Sequence, residues 1–186
     1  MKGNRNQVSQ AKRRTGRSRH IAGRLYLAVI AVLAIAGVAL FTMGNREGGA
    51  SPEQVANATG ILSAATSFHD FGQVSMRNGK ITFRYPVRND SGTPALVQKI
   101  YTSCMCTEAT LLVGTERVGP FGMPGMGPPI PTINRVIPAG QQAIVEATFD
   151  PNAHGTAGLG RNDRVVSVVL GERRVLQLSF TAYVTP

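Results

Sequence analysis

From about residue 67 onward, apolar and polar positions alternate in short runs separated by turn residues. Ile81, Phe83, Tyr85 and Val87 interleave with Thr82, Arg84, Pro86 and Arg88, the period of two that puts successive side chains on opposite faces of a half-buried strand. Asn89-Asp90-Ser91-Gly92 supplies the turn that ends it. Pro86 has no backbone donor, so this strand is expected at a sheet edge or with a bulge. The same reading predicts strands over about residues 67–74, 95–101, 107–113, 142–149, 164–170 and 175–184, the last with Leu176, Leu178, Phe180, Ala182 and Val184 on one face. About seven strands, with no amphipathic helix among them, predict an all-β, Ig-like β-sandwich over residues 66–186. Two loops, residues 114–135 and 150–163, are longer than simple strand connections require, and loops of that length commonly carry function or are disordered.

Upstream the pattern is different. Residues 25–43 (LYLAVIAVLAIAGVALFTM) carry no charge and at 1.5 Å per residue cover roughly 30 Å, the thickness of a bilayer core. The run predicts one N-terminal transmembrane helix, longer than the ~7–15 apolar residues of a cleaved signal. Residues 44–65, mixing Gly, Ser, Pro and small polar residues, are read as a flexible linker. Asn57-Ala58-Thr59 within it fits an N-glycosylation sequon.

Charge orients the helix. Of the 20 Lys and Arg residues, Lys2, Arg5, Lys12, Arg13, Arg14, Arg17, Arg19 and Arg24 precede the apolar run, and no acidic residue accompanies them. Residues 1–24 therefore read as a basic cytoplasmic tail of a single-pass protein of the plasma (inner) membrane, with the sandwich extracytoplasmic. The net charge of +10 belongs mostly to that tail, which lacks the interleaved aromatics that base stacking needs, so no nucleic-acid partner is expected. Beyond the membrane itself, the expected partner is an envelope protein meeting a sheet edge.

Cys104 and Cys106 are the only cysteines, two apart in Ser103-Cys104-Met105-Cys106-Thr107. On a regular strand their Cα atoms stand roughly 6.5 Å apart, near the upper limit for a disulfide, and a bend brings them closer. Outside the cytoplasm such a pair is bridged under strain, kept reduced, or bound to metal. Thiolate and thioether are soft donors that favour Cu(I), and Met123 and Met126, in a Met-Pro-Gly-Met segment, add thioethers, with Met105 between the thiols and His154 offering an imidazole. Zinc suits the set less, because its structural sites take four ligands. His69, flanked by Phe68 and Phe71, reads as a hydrogen-bonded structural residue, and His154, after the Asp150-Pro151 turn, as solvent-facing or structural unless it ligates. No Gly-x-Ser-x-Gly elbow, phosphate-binding loop or His-Glu-x-x-His helix is present, so no catalytic residue is assigned.

The set His69-Asp70-Phe71-Gly72-Gln73-Val74, Asn89-Asp90-Ser91-Gly92, Thr102-Ser103-Cys104-Met105-Cys106-Thr107, Ile137-Pro138-Ala139-Gly140 and Phe149-Asp150-Pro151 resembles the bacterial domain-of-unknown-function family 1573. The resemblance spans about residues 66–186 and is most specific at Ser-Cys-x-Cys-Thr. It implies an Ig-like sandwich, commonly exported or membrane-anchored, and carries over Cys104 and Cys106. This chain departs from the pattern at Met105, where Gly is usual, and in the Met-Pro-Gly-Met loop. The sequence thus points to a membrane-anchored, non-enzymatic Ig-like module with a Cys-x-Cys site suited to Cu(I). Thiol–disulfide exchange by the same pair, or a protein-interaction module of the envelope, are the alternatives.

Overall fold

The computed structural model describes residues 52–186. The expected basic tail and transmembrane helix lie outside the described residues, among which no helix is long and apolar enough to cross a membrane. After a helical turn at Pro52–Ala56, the chain runs through β1 (Ser63–Ala64), β2 (Phe68–Ser75), β3 (Ile81–Arg88), β4 (Ala95–Thr102), β5 (Thr107–Val113), β6 (Glu116–Phe121), β7 (Arg135–Ile137), β8 (Gln142–Phe149), β9 (Gly160–Leu170) and β10 (Val175–Thr185). These form two five-stranded sheets, ordered β1-β3-β8-β5-β6 and β2-β10-β9-β4-β7. The pairings are antiparallel except for β2 with β10.

The period-two pattern explains why the sheets pack. In β3, Tyr85 and Val87 are fully buried while Thr82, Arg84, Pro86 and Arg88 are exposed. Beside Tyr85 and Val87 in the same sheet lie buried Val145, Ala147 and Phe149 of β8, and the opposite sheet contributes Leu178, Phe180 and Ala182 of β10 to the same core. Tyr85 crosses from one sheet to the other and donates its hydroxyl to Ser179 O at 2.7 Å, and burial pushes its phenol far above the usual range. Pro86 pairs with Ile144, and on its other side β1 covers only Val87 and Arg88, so β3 is an edge over most of its length.

The all-β sandwich and the seven expected strands are present, with three more. Segment 114–135 is not one loop: it contains β6, hairpinned onto β5, and β7, paired with β4. Gly119-Pro120 within β6 hides it from a propensity reading, but an edge strand tolerates proline. A Cβ on Gly119, whose φ is +125°, would lie 3.0 Å from Ala109 O, so the close approach of the hairpin requires glycine there.

The boundary placed at residue 65 also shifts. Ala58 and Leu62 are buried, β1 pairs with β3, and Gly60 N donates to Pro94 O at 2.8 Å. Residues 58–64 therefore belong to the sandwich. Their small, polar composition resembles a linker because the segment packs through glycine and backbone contact: a Cβ on Gly60 would come within 2.3 Å of Thr93 O.

Candidate functional site

The two cysteines sit where β4 hands over to β5. Thr107 N donates to Cys104 O at 3.1 Å, closing a turn over residues 104–107. Buried Thr102 holds that turn from inside, its hydroxyl shared between the carbonyls of Cys104 and Thr107, each 2.9 Å away. Ser103 bonds to Val165 of β9 through both its backbone N–H and its hydroxyl oxygen. Asp150 N donates to Cys106 O at 2.8 Å, joining the turn to the loop that follows β8.

That loop delivers His154. Asp150 Oδ1 accepts from Asn152 N at 2.9 Å, an Asx turn that reverses the chain, and Asn152 Nδ2 donates to Met76 O at 2.5 Å. His154 remains exposed, yet its Nε2 lies 3.2 Å from Cys104 Sγ. The donor atoms of Cys104, Cys106 and His154 all lie within 4.8 Å of one another.

The two thiols, both free, have different surroundings. Cys104 is partly exposed; burial pushes its thiol up, but hydrogen bonds from Cys106 and His154 and the nearby charge of Arg164 more than offset this and bring it down to about 7. Cys106 N–H is one of those donors, at 3.3 Å from Cys104 Sγ. Cys106 is only 2% exposed. Burial and the bond to Cys104 raise its thiol, against the opposing pull of Arg164 and Thr107. Arg164 Nε donates to Cys106 Sγ at 3.0 Å. One thiol is thus brought down toward neutrality and the other is pushed above the usual range.

Of the residues expected from the sequence, Cys104, Cys106 and His154 converge. Met123 and Met126 line a separate hollow of about 590 Å³, walled also by Phe121, Pro129, Ile130 and Ile133, with neither cysteine nor His154 in its lining. Met105, at the tip of the turn, is half exposed. His69 is held by rings, stacked on Phe83 at 3.6 Å and edge-on to Phe71 at 4.6 Å, where a hydrogen-bonded histidine was expected. Arg164, which sequence reasoning did not single out, completes the site. Its signal was a cation at an inward position of β9, in phase with buried Asn162 and Val166.

No family model and no curated protein matches the chain. Among solved structures, a protein of unknown function from Porphyromonas gingivalis W83 is similar at 14% identity and a TM-score of 0.50, over 69% of this chain and 48% of that one. The chain therefore spans about half the length of that protein. The ASH/PapD-like domain of human CEP192 (PapD-like domain 7) is similar at 9% identity and a TM-score of 0.42, over 67% of this chain and 84% of that one. The YadV chaperone has 9% identity and a TM-score of 0.41, over 67% and 52% respectively. The likeness to the Porphyromonas protein is one of fold.

Proposed function

We propose that this chain is a membrane-anchored, extracytoplasmic Ig-like module that binds a soft metal ion, Cu(I), through Cys104, Cys106 and His154. The observation that carries the reading is the convergence of two sulfurs and one imidazole nitrogen within 4.8 Å from two separate loops. Thiolate donors select soft ions such as Cu(I), and a structural zinc site wants a fourth ligand that this group does not contain. Metal binding requires deprotonated thiols, and Cys104 ionises near neutrality, so it is the entry ligand. Cys106 would supply the second thiolate, losing its proton to solvent when the ion binds, and the Arg164 N–H that already meets its sulfur would orient it. The uncharged run at residues 25–43 behind a basic tail supports the anchor and its orientation. The resemblance to domain-of-unknown-function family 1573 supports the Ig-like reading of the sandwich.

The test is competition between detergent-solubilised full-length protein and a chromogenic Cu(I) chelator under reducing conditions. One ion per chain, withdrawn at sub-micromolar free copper and abolished in Cys104→Ser, is the expected outcome. Failure to compete at micromolar affinity would exclude the site. A second reading, thiol–disulfide exchange, is favoured by the split between the thiols, since exchange needs one ionised attacking sulfur beside a partner able to close the bridge.

A further inference from the structure

Arg164 is locked beside the buried sulfur. Its Nε donates to Cys106 Sγ at 3.0 Å, its Nη1 to Asp163 O at 2.8 Å, and its Nη2 to Asn162 Oδ1. Asn162 is itself buried and donates through Nδ2 to Gly158 O at 2.8 Å and Gly160 O at 3.0 Å, on the backbone that follows His154. The guanidinium therefore cannot swing to solvent without breaking the polar contacts that also brace the histidine loop. None of its three acceptors is a carboxylate. The adjacent Asp163 is exposed and its carboxylate pairs with Arg161 at 2.9 Å, Arg164 being the weaker of its two cationic neighbours.

We infer that Arg164 sets the charge preference of the Cys104/Cys106/His154 centre, favouring a monovalent over a divalent soft ion. The inference rests on the metal reading above and adds the residue that chooses among metals. Two ionised thiols and a neutral imidazole carry two negative charges. A monovalent ion leaves one, which the fixed guanidinium cancels, so the centre becomes neutral around a sulfur that is 2% exposed. A divalent ion neutralises the thiolates alone and leaves the Arg164 charge uncancelled beside a sulfur that is 2% exposed. The two classes of ion use the same three ligands and differ in what they do to that arginine.

The experiment compares affinities for Cu(I), by chelator competition, and for Cd(II), by thiolate-to-metal charge-transfer absorbance, in the full-length protein. Arg164→Gln is expected to lower the Cu(I)-to-Cd(II) affinity ratio about tenfold or more, the size of effect that partners of metal ligands exert. Asn162→Asp keeps the guanidinium but sets a carboxylate against it, and should shift the ratio in the same direction. A merely structural arginine would weaken both ions together and leave the ratio where it was. If Arg164→Gln does not fold, Asn162→Asp decides. A wild-type ratio in the folded variants overturns the inference while copper binding by the parent protein leaves the metal reading standing; a parent that binds no Cu(I) removes both.

Discussion

The sulfur of Cys104 accepts from Cys106 N–H and lies beside the His154 imidazole, whereas that of Cys106 lies against the core between the Arg164 guanidinium and the Thr107 hydroxyl. The difference is measurable in the metal-free protein. Because Cys104 is lowered to about 7, its thiolate fraction and its alkylation rate should climb with pH through a midpoint near 7, well below that of an ordinary thiol. Cys106, raised and buried, should lag throughout. Peptide mass spectrometry after timed iodoacetamide pulses would report both rates. His154→Ala removes one of the bonds that lower Cys104, so its midpoint should move upward. An unchanged midpoint would mean that the imidazole does not act on the sulfur. Cys104, Cys106 and His154 could be listed from the chain because rare, soft or titratable residues stand out. Arg164 could not, because arginine is common and its significance comes from which way β9 turns it.

At the level of elements, the site is a junction: the turn between β4 and β5, the loop after β8, and the start of β9 meet there. Thr102 is the clamp. Its buried hydroxyl serves two carbonyls of the cysteine turn, one of which, that of Cys104, also accepts from Thr107 N, so Thr102→Val should remove that side-chain bond and destabilise the fold by about 0.5–1.5 kcal/mol, read from urea denaturation. Copper affinity should fall with it, since the turn that spaces the sulfurs loosens. Strands are legible in the sequence where alternation is long and free of breakers, as in β5, β8 and β10, and in β3 where the alternation carries through Pro86. Alternation misses β6 because Gly119-Pro120 reads as loop, and β1 and β7 because two or three residues are too few to show any period. Such strands exist because a neighbour supplies the hydrogen bonds, not because their own residues demand extension.

For the whole molecule, the proposed arrangement puts a charged tail on one side of a membrane and the sulfur centre on the other. The chain's only cysteines are Cys104 and Cys106, so a membrane-impermeant maleimide applied to intact cells reports directly on where the sandwich lies. Labelling without lysis, lost in Cys104→Ser, is expected; labelling only after lysis would reverse the topology. The all-β class, the main strands and the candidates Cys104, Cys106 and His154, along with Met123 and Met126, were legible in the linear chain, because side-chain alternation and donor softness are properties of short stretches. Other features came from folding. The pairing of β2 with β10, the inclusion of residues 58–64 in the core, and the approach of His154 to Cys104 across fifty positions all depend on long-range contact. So does the separation of Met123 and Met126 into their own hollow. Local periodicity specifies which face of a strand is apolar, but which strands lie side by side, and therefore which loops share an end of the sandwich, is decided only when two sheets bury those faces against each other.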